Sequence, residues 1–171
     1  MTVSTPHVLI AGAGPVGMMS ALALGRAGIR VTLLESAAGL NRDLRASTFH
    51  PPTLDMLAKY GLTSSLIEQG LVARFTQQRD RTQGVIAEFD LSQLAGLTDH
   101  PFRLQCEQWK LTDLILAQLT QLPHVSVEFD SRVESVSQTA NSVSVHIRQG
   151  DQLQTLHGDY LIGADGAWSA V

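Results

Sequence analysis

The 171-residue chain is poor in cysteine, in aromatic residues and in long apolar runs, and it carries no excess of positive charge. Its one cysteine, Cys106, excludes an internal disulfide and every multi-cysteine metal site. A lone thiol fits a reducing compartment, so a cytoplasmic location is expected. No segment reaches about 18 unbroken apolar residues, which excludes an ordinary membrane-spanning helix. The N-terminus lacks a basic region and its apolar run is broken by glycines, so neither a signal peptide nor a membrane anchor is expected. Twelve basic residues against sixteen acidic ones give a net charge of −4, and no basic field points to nucleic acid. The six histidines show no metal-ligand spacing, so no metal is expected. With no Ser/His/Asp triad signature and no carboxylates paired for acid–base work, no residue is assigned a catalytic role.

What is present is the pattern of an α/β protein. "HVLIA" at 7–11 is an unbroken apolar run ending in glycines, as a buried parallel strand would be. "PVGMMSALALGRAG" predicts a helix entered at Pro15 and left at Gly28, apolar nearly all round and so expected to be covered on both sides. "RVTLLE" at 30–35 is the next strand, and the three together form a βαβ unit with a right-handed crossover. Helices are expected over 51–61 and 107–122, the latter on the face Leu111, Leu114, Ile115, Leu119 and Leu122. A hairpin is expected over 72–90 around "DRTQG". "VSVEF" at 125–129, "VSVHI" at 143–147 and the following "LQTLH" alternate, predicting a small antiparallel meander with His146 on its wet face. "YLIGA" at 160–164 returns to the pattern of a buried parallel strand, followed by a glycine turn and the start of a helix. The expected fold is α/β: a Rossmann-like domain with a parallel sheet plus a small antiparallel β-meander.

"GAGPVG" places Gly12, Gly14 and Gly17 in G-x-G-x-x-G spacing between a strand and a helix, with Pro15 and Val16 between them. The three glycines serve a tight turn, backbone approach to a pyrophosphate and close helix–strand packing, while free N–H groups and the helix dipole face the phosphates. Glu35 ends the second strand eighteen residues beyond Gly17, where a carboxylate accepts hydrogen bonds from a ribose diol. An acid there also argues against a 2′-phosphate, because like charges repel. This fingerprint points to a dinucleotide and does not choose between FAD and NAD.

Three further stretches narrow the choice: "RDLRAST" at 42–48, "RLQCEQWKLTDLIL" at 103–116 and "DYLIGADGAWSAV" at the end. Together with "VLIAGAGPVG" they resemble the FAD-binding part of flavoprotein aromatic hydroxylases, the para-hydroxybenzoate hydroxylase-like family of flavin-dependent monooxygenases. The resemblance covers essentially the whole chain, and the closing motif is its more specific part. It implies an oxidoreductase with FAD as cofactor, NAD(P)H as reductant and a small aromatic molecule as substrate. Arg45 matches the arginine that reaches the FAD pyrophosphate, a task suited to a planar guanidinium. Gln105 matches the family glutamine that hydrogen-bonds the cofactor, and Val133 sits where the backbone meets the adenine. Asp165 and Gly166 match the Asp-Gly pair that contacts the FAD ribose region and is linked to the nicotinamide cofactor. An acid at the carboxyl end of a parallel strand is well placed for that. His50 follows the Arg45 loop closely, while Cys106, Trp109 and Trp168 are expected to be packing residues.

On this resemblance, residues 1–171 form one FAD-binding domain, in which 71–104 is an excursion that would join the substrate-side sheet of a full-length relative. In the family the closing motif is followed by an arginine and by more than half the protein. The chain is therefore expected to be truncated, with the C-terminal substrate domain absent, and not to be catalytically competent alone. Exposed sheet edges leave room for a homo-oligomer. Other readings stay open: an FAD- or ADP-binding module without activity, an NAD-dependent oxidoreductase, or a related flavoprotein reductase or halogenase.

Overall fold

The computed structural model describes residues 5–171. In chain order the elements are β1 (His7–Ala11), α1 (Pro15–Arg26), β2 (Arg30–Leu34), β3 (Thr48–Phe49), α2 (Pro51–Ala58) and α3 (Thr63–Glu68). Next come β4 (Leu71–Ala73), β5 (Phe75–Asp80), β6 (Gly84–Asp90), β7 (Arg103–Gln105) and α4 (Gln108–Leu119). The chain closes with β8 (Val125–Glu128), β9 (Arg132–Gln138), β10 (Val143–Gln149), β11 (Gln152–Gly158) and β12 (Tyr160–Gly163). These group into two compact units: one joins the chain up to Asp43 with Thr112–Val171, and the other is Leu44–Leu111.

The first unit is built on a four-stranded parallel sheet in the order β12-β1-β2-β8. Because β1 has a parallel neighbour on each side, its residues 8–11 are buried almost completely, which is why the run is apolar without alternation. A three-stranded antiparallel meander, β11-β10-β9, supplies a second layer. Val143, Val145 and Ile147 of β10 meet Leu9 and Leu34 of the parallel sheet in one buried cluster, edged by Val133, Val136, Leu156 and Leu161. The intervening Ser144 and His146 point the other way, and His146 bonds Thr155 across the ladder. On α1 the buried positions are Gly17, Met18, Ala21, Leu22 and Gly25, the spacing of one helical face. Gly25 lets that face close, since a Cβ there would lie 2.7 Å from Val125 Cγ2 and 2.9 Å from Leu122 Cδ1.

Five expectations are corrected in this unit. The strand at 160–164 is not buried: β12 is the edge of the parallel sheet, with Tyr160 exposed and Leu161 and Ile162 half-buried. Helix α1 is buried on one face rather than on two: Val16 is exposed, and Met19, Ser20 and Leu24 are half-buried. The stretch at 125–129 does not join the meander; β8 pairs parallel with β2, and its alternation is that of a half-buried edge strand. The meander's third strand is instead β9, where a register shift opposite His146 and Ile147 inserts an extra residue. Val133 and Val136 are therefore three apart while facing the same core, so a period of two does not reveal them. At the end of the chain, the segment after β12 makes only a 3-10 turn, Gly166–Trp168, and Trp168 is 97% exposed rather than packed.

The second unit contains a three-stranded sheet, β3-β7-β4, and a separate hairpin of β5 and β6. Its buried side chains include Phe49, Leu54, Leu57, Leu62, Leu66 and Leu104. The helix expected over 51–61 ends earlier, at Ala58, and Gly61 at φ +69° turns the chain into α3. The Thr63 hydroxyl donates to the Leu54 carbonyl at 2.6 Å, tying the two helices. Cys106 is buried, as a small packing residue is. The hairpin forms where "DRTQG" predicts it and leaves Phe75, Val85, Ile86 and Phe89 exposed.

Leu9 is wholly buried between the parallel sheet and the meander, whereas Leu153 of β11 is 64% exposed. Leu9→Ala is expected to cost about 2–5 kcal/mol in urea unfolding, and Leu153→Ala less than about 0.5 kcal/mol. Equal losses would show that the cluster does not hold the two layers together.

Candidate functional site

Three carboxyl strand ends converge in the first unit. The loop after β1 runs under the exit of β12: Gly12 N–H donates to the Leu34 carbonyl at 2.7 Å, and Ala164 N–H donates to the Ala11 carbonyl at 2.8 Å. Gly12 takes φ +95°, and a Cβ there would sit 2.7 Å from the Ala164 carbonyl carbon and 2.7 Å from Asp165 Cα. Position 17 is equally constrained, because a Cβ would run into the Gly12 carbonyl oxygen. Gly14 differs from both. Its φ of −68° and ψ of 176° are open to any residue, and a Cβ there would meet nothing within 4 Å. It caps α1, whose first turn holds no acidic residue and no side-chain cap. Pro15 fills a position where no N–H is needed, and Val16 is 66% exposed. The positive end of this helix thus carries no side-chain cap and no neutralising acid.

Both acids lie on this edge, and each is engaged. Glu35 Oε2 accepts from Ala13 N–H at 2.8 Å, and Oε1 accepts from Ala37 N–H at 2.9 Å and from the Ser36 hydroxyl at 3.2 Å. Its backbone is held as well, between the Glu128 carbonyl and the Ser131 N–H. The carboxylate therefore braces the glycine loop against the end of β2. Asp165 Oδ1 accepts from the Ser169 hydroxyl at 2.6 Å and Oδ2 from Ala170 N–H at 2.7 Å. Partial burial pushes the Asp165 pKa up, but these hydrogen bonds outweigh it and hold the group below the usual carboxylate value. Gly166 follows at φ +83°. The partners Ala13, Ser169 and Ala170 were not singled out from the sequence; only Ser169, four residues beyond an Asp in a turn, carried a cue.

Val133 lies on the edge strand β9, half-buried against the core cluster. Arg45 and Gln105 belong to the second unit. Arg45 is exposed and makes no ion pair or hydrogen bond among the described residues. Gln105 ends β7, and the Thr48 hydroxyl donates to its Oε1 at 3.0 Å, leaving Nε2 as the donor. Among the described residues no group of three or more His, Cys, Asp or Glu is arranged to hold a metal ion, and no helix is long and apolar enough to cross a membrane.

A family profile described as FAD binding domain matches residues 5–171. Para-nitrophenol 4-monooxygenase of Pseudomonas sp. (strain WBC-3) is 32% identical over 164 residues, covering 96% of this chain and 41% of that protein. 6-Hydroxy-3-succinoylpyridine 3-monooxygenase of Pseudomonas putida is 34% identical over 165 residues, covering 96% and 42%. The crystal structure of p-nitrophenol 4-monooxygenase from Pseudomonas putida superposes with a TM-score of 0.91 at 31% identity, over 95% of this chain and 41% of that one. The chain spans about two fifths of the length of these relatives.

The glycines predict opposite stability effects. Gly17→Ala is expected to cost about 1–3 kcal/mol or more, because a methyl group meets backbone. Gly14→Ala is expected to be neutral or to gain about 0.4–1 kcal/mol, since its dihedrals suit alanine and the unfolded chain loses freedom; urea unfolding of both variants checks this. For Asp165 the folded pKa lies below the unfolded value. Its contribution is therefore complete above the ordinary carboxylate pKa of 3.8 and is lost as pH falls. An NMR titration should place its midpoint below 3.8, and Ser169→Ala should move it up.

Proposed function

The chain belongs to the FAD-binding domain family, and on that premise we propose that it is the FAD-binding portion of an NAD(P)H-dependent flavoprotein monooxygenase that hydroxylates an aromatic or similar small molecule. The observation that carries the reading is Gly14. Nothing among the described residues requires glycine there, so the missing side chain answers to something outside them. A diphosphate lying over the uncapped N–H groups of α1 is such a requirement. When bound, FAD would supply the transfer of electrons from NAD(P)H to O₂ and the delivery of one oxygen atom to the substrate.

The roles assigned to the chain's own residues follow from their chemistry. Gly12, Gly14 and Gly17, with Pro15 and Val16, form the loop and helix start that receive the pyrophosphate. Glu35 is braced by Ala13 and Ala37 and keeps acceptor capacity on Oε2 for ribose hydroxyls. Asp165, held by Ser169 and Ala170, offers a second fixed acceptor on the neighbouring strand end, with the Gly166 backbone beside it. Arg45 supplies a free guanidinium and Gln105 a free amide donor, and the Val133 backbone borders the adenine. The buried, lone Cys106 supports a reducing, cytoplasmic setting. Residues 71–104 are proposed to join the substrate-side sheet of a full-length protein.

Calorimetric titration with FAD, with NAD as control, tests the reading. FAD should bind and NAD should not compete with it. Gly14→Ala and Arg45→Ala should each weaken FAD by about tenfold, near 1.4 kcal/mol, without loss of folding. Retention of NAD in preference to FAD would sink the hydroxylase assignment.

A further inference from the structure

The outer face of the meander carries a pair of histidines that the proposed cofactor role does not use. Val145 and Ile147 of β10 and Leu156 of β11 face the core, so Ser144, His146, Thr155 and His157 stand together on the opposite face. The register sets Ser144 opposite His157 and His146 opposite Thr155, which makes the two histidines diagonal neighbours in adjoining rows. Diagonal positions on an antiparallel pair lie roughly 7–8 Å apart, within reach of two imidazoles. Each ring is oriented by a hydroxyl on the other strand. His146 Nδ1 lies 3.0 Å from Thr155 Oγ1, and His157 Nδ1 lies 3.0 Å from Ser144 Oγ. Both Nε2 atoms are left without a hydrogen-bond partner among the described residues. His157 is exposed, and the half-buried His146 keeps its Nε2 open to solvent. The backbone beneath is held too, since His7 Nδ1 lies 3.1 Å from the His157 carbonyl. On the same strand Arg148 is neutralised by Glu134, which accepts from both its Nε and its Nη2.

We propose that His146 and His157 form a two-histidine site for a divalent cation of the zinc or copper kind, each ligating through Nε2, with water completing the coordination. An imidazole whose Nδ1 is held by a second group presents its Nε2 lone pair in a set direction, which is how ligating histidines are ordinarily supported. Binding selects the tautomer in which Nδ1–H donates to the hydroxyl oxygen of Thr155 or Ser144. Imidazole nitrogen suits zinc and copper, whereas magnesium and calcium require oxygen. The ligands come from two strands of a hairpin and are joined only by its register, so no spacing motif in the sequence announces them. Two protein ligands also fall below the clusters of three or more that are absent among the described residues.

The test contains no FAD. Zinc chloride is titrated into the unsubstituted chain by calorimetry, with magnesium chloride as the control, and the imidazole nitrogens are followed by NMR. One zinc per chain is expected, with the Nε2 resonances of His146 and His157 moving together along one isotherm and magnesium without effect. His146→Gln and His157→Gln should each weaken zinc by about tenfold or more, and the double variant should lose little beyond either single one, as a chelate requires. Ser144→Ala and Thr155→Val should weaken it by a smaller factor, because they remove the support and not the ligand. Two histidine resonances that move at different zinc concentrations in the unsubstituted chain overturn the proposal without needing any variant to fold. So does zinc affinity that survives intact in His157→Gln. Absence of zinc binding also overturns it, and leaves the pair as a solvated row of the sheet.

Discussion

The Gly12 carbonyl and the α-carbon of Gly17 lie so close that no side chain fits between them, and the carboxyl edge of the parallel sheet depends on this contact. Helix α1 leaves the loop at its angle only because position 17 is bare. The loop itself passes under the β12 exit so tightly that Gly12 has room for no Cβ and adopts a left-handed φ. With both points pinned, the first turn of α1 is fixed relative to the ends of β1, β2 and β12. Two of the three glycines are thus demanded by the fold, and the third, Gly14, is demanded by nothing in it. A spacing motif does not distinguish these causes, whereas the space around each Cβ does.

The two acids on that edge show a related division. Each is a candidate receiver for ligand hydroxyls, and each is also a brace. A carboxylate offers about four acceptor directions. Glu35 spends three of them, on Ala13, Ala37 and Ser36. Asp165 spends two, on Ser169 and Ala170. Bracing and receiving are therefore compatible, and the first improves the second, because an acceptor already held in place loses little freedom when a ligand arrives. The same bonds make each acid a structural residue, so removing Glu35 loosens the loop as well as deleting an acceptor.

Much of the first unit was legible in the sequence because its signals are local and strong. The strand–glycine–helix succession and Glu35 at the end of β2 each rest on contiguous residues whose pattern matches the observed environment, whereas the apolar run of β12 lies at the sheet edge, exposed or half-buried. The failures have equally definite causes. β8 alternates because it is an edge strand, and alternation alone does not say whether its neighbour is parallel. β9 escaped because its bulge breaks the period. β3, β4 and β7 are two or three residues long, too short for any periodicity, and exist only because each finds the others. Trp168 was assigned to packing on its size, but the three-residue turn that carries it reaches no core. In the site, the named acids were visible and their backbone partners were not, since Ala13 and Ala170 contribute only N–H groups that every residue owns.

Unit one, taken alone, carries features generic to dinucleotide recognition: a bare loop, an uncapped helix start and two fixed acceptors. The donors proposed to discriminate among nucleotide cofactors, Arg45 and Gln105, belong to Leu44–Leu111. Arg45 has no partner among the described residues, Gln105 has its carbonyl engaged and its amide nitrogen left over, and Arg103 Nε is buried and unmatched. Phe75, Ile86 and Phe89 of the same unit are exposed. Other charges of this unit are engaged: Arg74 pairs with Asp90, Lys110 with Glu107, and Asp55 bonds Thr98 and His100. On the proposed reading the generic grip and the selective contacts are encoded in separate stretches, which accounts for a glycine fingerprint that does not by itself name the cofactor.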